Sequence, residues 1–285
     1  MLWVILSVLS GLWDAVMFSL MKKLSNADNT LVVWVQFAFA LPFLILILIF
    51  NYPNHIDSHV YFVAVVNALL YVGSTFLFLK ALNISEMSVS LPMLSFTPLF
   101  LVIISYFTLK ELPSFIGFMG ILMIVVGAYI INLRQGKGIF EPFKSIFKIK
   151  GSFYILIVAF VWSLTSILFK KGILMSSPVY FVTLVYFIVA VGMIPFLLIG
   201  IKDKMKDMKS NFRHLFYFGI VSGLMNLTAS FAMLYAIVSY VISLKRTSLI
   251  FSILIGYFYF NEKNIKNALI GTLIMIIGGV LITLF

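Results

Sequence analysis

The sequence predicts an all-α polytopic membrane protein, a bundle of ten transmembrane helices built as two inverted five-helix repeats. Three observations predict it. The first is composition: 63% of the 285 residues are hydrophobic and only 10% are charged, where a soluble domain carries about 25% charged residues. So little polar surface cannot cover a water-facing fold, which excludes a soluble enzyme. The second is segmentation. Ten continuous apolar runs fall at about 2–21, 31–50, 60–80, 87–109, 114–132, 151–169, 179–200, 214–236, 239–260 and 265–285. Each is long enough to cross the hydrocarbon core as a helix. The third is a likeness between the two halves of the chain.

Taken in order, the elements support this reading. The runs do not alternate polar and apolar residues, so a transmembrane β-barrel is excluded. Helices also satisfy their own backbone groups, as hydrocarbon demands. The first run has no basic segment before it and is read as a retained helix, not a cleaved leader. The turn Lys110–Pro113 is so short that the fourth and fifth helices are expected to form an antiparallel pair. Between Arg134 and Lys150 lies a longer connector. Its Ile139, Phe140, Phe143, Ile146 and Phe147 recur at helical spacing among Lys144, Lys148 and Lys150. That pattern suits a helix lying in the headgroup plane, although a solvated basic linker accounts for it too. The expected organisation is a first repeat over 1–133, the amphipathic basic connector over 134–150, and a second repeat over 151–285.

The repeat shows in matching residues. Trp13 and Lys22 recur 149 positions later as Trp162 and Lys171, and Glu111, Gly120 and Gly127 recur 151 positions later as Glu262, Gly271 and Gly278. Tyr71 and Asn226 are equivalent at an offset of 155. Five helices per half is an odd number, so the copies take opposite membrane orientations. Inverted repeats around a midplane site are the architecture of secondary transporters.

Several chemistries are excluded. The chain has no cysteine and three histidines, all in polar connections, so neither a thiolate nucleophile nor a metal cluster is expected. No phosphate-binding loop is present, and no cofactor is expected. An intramembrane protease would need a zinc motif or a second membrane aspartate, and neither occurs. The net charge of +11 lies in residues flanking apolar runs; its expected partner is an anionic leaflet, not nucleic acid. Of the 20 Lys and Arg, 15 fall in the connections after the odd-numbered helices. The positive-inside rule then places both termini outside the cytoplasm of a cell (plasma or inner) membrane.

Ionisable residues inside a membrane helix are costly and mark function by default. Asp14, Lys245 and Arg246 are the candidates, while Lys80, Glu86, Glu111 and Glu262 lie at helix ends where long side chains reach the headgroups. Lys245 and Arg246 sit about 10 Å into the ninth helix at 1.5 Å per residue. Each costs about 2.5–3.5 kcal/mol to insert. Such a pair calls for an anionic ligand, a wet cavity or a counter-charge. Arg supplies a bidentate fork for carboxylate or phosphate and Lys a point charge. Asp14 either shields this dyad or takes up and releases a proton. Tyr71, Asn226 and Trp13 are the further substrate-binding candidates; helix–helix hydrogen bonding or packing is the competing role for each.

The chain resembles the drug/metabolite transporter superfamily, in its EamA-like branch. The residues carrying the likeness are Trp13 and Trp162, early in the first helix of each half, and the stretch Leu91–Gly127. That stretch has a proline inside the fourth helix, Glu111 closing it, and spaced glycines in the fifth. The second copy, Ser248–Gly279, keeps Glu262 and the glycines without the inner proline. The resemblance covers nearly the whole chain. It implies a central cavity worked by alternating access, and it implies cytoplasmic termini, opposite to the charge count. The Lys245–Arg246 pair resembles the phosphate-binding dyad of plastid triose-phosphate translocators, although the fourth helix here has no basic residue between Met87 and Leu109. Asp14 resembles the embedded acid of the small multidrug-resistance branch, which exports cations.

The expected function is secondary transport of a small anionic or zwitterionic metabolite, with a coupled ion or counter-substrate, by a monomer or homodimer. The alternative is proton-coupled export of cationic drugs through Asp14. A channel or a non-transporting receptor ranks lower.

Overall fold

A computed structural model describes residues 1–24, 27–85, 91–131, 148–260 and 266–284. Its regular secondary structure among these residues is all helical. The first half contains α1 (Leu2–Lys23), α2 (Asn29–Ala38), α3 (Leu41–Phe50) and α4 (Val60–Ile84). A 3-10 helix (Leu91–Phe96), α5 (Thr97–Leu109) and α6 (Phe115–Ile131) follow. The second half contains α7 (Lys150–Met175), α8 (Pro178–Gly192), α9 (Ile194–Leu198), α10 (Ile201–Tyr235), α11 (Val238–Lys245), α12 (Ser248–Phe260) and α13 (Lys266–Leu284). Seven helical stretches are long and apolar enough to cross a bilayer by length and composition. Three shorter apolar helices, Met93–Leu109, Phe115–Ile131 and Leu269–Leu284, run beside them.

Large apolar side chains such as Leu69, Phe107 and Leu273 are more than 60% exposed. In a chain this poor in charge, such a surface faces lipid. The molecule is a multi-pass membrane protein.

Local chemistry sets the breaks. Asp28 accepts the amide of Leu31 and starts α2; Ser177 does the same for Tyr180 and starts α8. The second apolar run divides before Pro42 and the seventh before Pro195, because proline has no amide to continue the previous turn. The stretch expected to be a loop before 214 is instead the start of the 35-residue α10. Its lysines and methionines are good helix formers, and Lys204 donates to the carbonyl oxygens of Phe196 and Ile199, closing the end of α9.

The packing exchanges the two halves. α6 lies against α13, its own counterpart in the repeat, and α1 lies against α10 as α7 lies against α4. The short turn at 110–114 reverses the chain, but the main partner of α6 is α13, not α5 as expected. Gly120 meets Gly278 and Gly127 meets Gly271, so the two helices are antiparallel. A Cβ on any of these glycines would come within 2.6 Å of the opposing carbonyl oxygen. In lipid, where apolar burial drives little, such close backbone contact is the main source of helix–helix attraction. Most of the basic connector, with Glu86 and Glu262, lies outside the described residues.

Candidate functional site

The two discontinuous helices define the centre. α5 begins at Thr97 and α12 at Ser248, 151 residues apart, which is the offset that relates Glu111 to Glu262. The repeat thus places both breaks at the same register. At the second break the amides of Arg246, Thr247, Leu249 and Ile250 bond three residues back, a 3-10 segment inside the ninth apolar run. Such mid-helix tightening is common at functional hinges. Lys245 ends α11, and Arg246 and Thr247 form the break. α1 approaches it closely at Gly11, where a Cβ would come within 2.9 Å of the Lys245 carbonyl oxygen.

Arg246 reaches across the repeat, and its Nη2 donates to Thr97 Oγ1 at 3.0 Å. The Thr97 hydroxyl donates in turn to the Leu94 carbonyl oxygen at 2.8 Å. The Arg246 Nε–H is buried without a partner in the protein. Lys245 makes no hydrogen bond or ion pair among the described residues. Asp14, on α1 and 8% exposed, has no such partner there either, so the direct pairing of Asp14 with the dyad is not formed. Asp14 lies three residues beyond Gly11 on the same face of α1, the face that meets the break, so it stands on the side of the dyad. Lys245, Arg246 and Tyr71 are half-buried.

Buried polar groups are nearly always paired. Here Trp13 Nε1, Arg246 Nε, Thr247 Oγ1 and Ser252 Oγ are all buried without partners, on α1 and around the break. This unsatisfied set is rich in donors, and donors suit an acceptor-rich ligand.

The other predicted residues divide. The hydroxyl of Tyr71 accepts from Gln36 Nε2 at 3.0 Å. Asn226 Nδ2 donates to the hydroxyl of Tyr186 at 2.8 Å, and Tyr186 also meets Ser222. Phe37 stands edge-on to both tyrosine rings. Asn226 therefore joins a polar network with Tyr186 and Ser222 and has no described contact with the dyad. Trp162 donates to Ser74 Oγ at 3.1 Å and packs on Phe78, a structural role. Gln36 and Tyr186 escaped sequence reasoning because uncharged polar residues in apolar runs give little signal. Two surface hollows, of ≈ 550 Å³ beside Phe196 and Lys204 and ≈ 360 Å³ beside His55 and Lys171, lie apart from the dyad.

A second ionic cluster was not foreseen. Lys170 Nζ contacts Glu111 Oε1 at 3.1 Å and donates to the carbonyl oxygens of Met233 and Ala236. Glu111 Oε2 accepts the amide of Val238 at 2.9 Å. Glu111 thus turns inward, contrary to the expectation that it reaches the headgroups. Lys110 is in the left-handed conformation, φ 57°, which closes α5 and aims the next residue back at the bundle. Lys170 lay one residue past the expected end of the sixth apolar run.

Discontinuous helices, paired by an exchange of repeats around a buried cationic centre, define a membrane transporter of the drug/metabolite type. The family model of the EamA-like transporter family matches residues 1–133 and 149–284, and the chain belongs to that family, whose members are transporters and not enzymes. A solved crystal structure of a protein 15% identical superposes with a TM-score of 0.74 over 99% of this chain and 97% of its own. At that identity the likeness shows the fold alone. No curated protein matches the chain.

Proposed function

We propose that this transporter carries a small anionic or zwitterionic metabolite across a cell membrane by alternating access. In this reading the seven long spans and three shorter helices make ten crossings. Residues 1–133 and 151–285 form the two inverted repeats on either side of the connector at 134–150, and the site lies between them. One observation carries it: Lys245 and Arg246 lie half-buried at a helix break, and the buried Arg246 Nε–H has no partner in the protein. Arg246 would grip the anionic group through its free guanidinium edge and Lys245 would add its charge. Asp14 balances part of that charge when the cavity holds no substrate, or receives the ammonium of a zwitterion.

A second reading, proton-coupled export of a cation through Asp14, is favoured by the absence of any ion-pair partner for Asp14 among the described residues. Two cations beside one acid leave the site net positive, which repels a cation in a low-dielectric interior. Counterflow in proteoliposomes separates the readings. Anion exchange that disappears in Lys245→Met and Arg246→Gln supports the first. Cation efflux that survives or improves in those variants overturns it.

A further inference from the structure

We propose that Lys170 and Glu111 form a latch closing the end of the bundle that carries both termini, and that α11 ties this latch to the helix break at Arg246. Lys170 uses its ammonium on three oxygens, those of Glu111, Met233 and Ala236. Both Glu111 carboxylate oxygens are used as well, one on Lys170 and one on the amide of Val238. The cation thus caps the last turn of α10 and the anion caps the first turn of α11, each at the favourable end of a helix. The latch bridges the halves, because Glu111 comes from the first repeat and every partner from the second. Around it the same end is packed shut: Trp3 stacks on Tyr240, and the Tyr240 hydroxyl accepts the amide of Ser114. No passage can open between the halves here while these bonds hold.

The latch and the centre share two helices. α5 and α11 pack against each other, and they are clipped at both ends. At the latch, Glu111 holds Val238 at the start of α11. At the centre, Arg246, next after the end of α11, holds Thr97 at the start of α5. α11 is only 8 residues long and regular, so a shift at one clip moves the other. A buried ion pair adds little net stability, but it specifies one arrangement over another, which suits a part that must close in one state and part in the next.

At the offset of 149 that aligns Trp13 with Trp162, the counterpart of Lys170 is Met21, packed among apolar side chains. The first repeat thus has a methionine where the second has Lys170.

The proposal stands on packing and not on any ligand, so it can fail separately from the anion reading. The chain has no cysteine, so single cysteines report directly. Ser239, fully buried behind the latch, is replaced by cysteine in the full-length purified protein and labelled with fluorescein maleimide. Ser58→Cys, on an exposed loop position, serves as the reference. Lys170→Met and Glu111→Gln are expected to speed labelling at position 239 about tenfold, since losing one partner of a buried pair opens the bonded state. Lys170→Arg is expected to label like the parent. Thr97→Val, which removes the distant clip, is expected to speed labelling severalfold. Should Lys170→Met fail to fold, Glu111→Gln carries the same test. Parent-like labelling in both latch variants overturns the latch; parent-like labelling in Thr97→Val overturns its tie to the centre.

Discussion

Two basic sites within the bundle, one buried and one half-buried, differ in how their charge is met. At Lys170 every donor and both oxygens of its acidic partner are bonded within the protein. At Lys245 and Arg246, about one short helix away, the guanidinium has one side-chain acceptor and the ammonium none among the described residues. The same residue chemistry thus serves two ends. A cation whose bonds are complete holds structure; a cation whose bonds are incomplete waits for something. Sequence alone does not separate the two, since both are lysines beside another basic residue within or next to an apolar run.

Mutations sharpen the comparison. The largest effect is expected from Glu111→Ala, which leaves Lys170 and the Val238 amide unpaired. Breaking a buried pair from one side costs about 3–5 kcal/mol, read as a lower unfolding temperature in detergent. The double variant Glu111→Gln with Lys170→Met is expected to recover most of that loss, because no uncompensated charge remains. Tyr186→Phe comes next. It strips a hydroxyl shared by Ser222 and Asn226 and should cost about 1–3 kcal/mol, in the same unfolding assay. Arg246→Gln is expected to change the stability of the ligand-free protein least, by about 0.5–1.5 kcal/mol, since it removes one side-chain hydrogen bond and an unmet donor together. Its effect is expected on transport, where counterflow should fall to background. If Arg246→Gln destabilises as much as Glu111→Ala, the contrast between the two sites is wrong.

Much of the fold was legible because hydrocarbon leaves few choices. Continuous apolar runs of span length can only be helices, and the paired Trp, Glu and Gly residues expose the repeat. The breaks were less legible. Pro42 and Pro195 mark two of them, but the break at Arg246 and Thr247 has no proline or glycine and comes from tertiary packing against Gly11. The start of α10 looked like a loop because it is rich in charge, although those residues favour helix. Asp14, Lys245 and Arg246 stood out because charge inside an apolar run is conspicuous. Glu111 and Lys170 did not, because residues at the edge of a run have headgroups within reach, and only the fold shows that Lys110 turns the chain inward. The placing of Asp14 beside the dyad required α1 to be packed against α11 and the break, which hydropathy cannot do.

The account rests on the incomplete cations at the centre binding an anion. The most direct test is thermal unfolding of the purified protein against inorganic phosphate, mono- and dicarboxylates, amino acids and quaternary ammonium ions, with Arg246→Gln alongside the parent. The account predicts that at least one of the anions or zwitterions raises the unfolding temperature of the parent and leaves the variant unmoved. Stabilisation by a quaternary ammonium ion alone, or equal response of parent and variant to every anion, would contradict it.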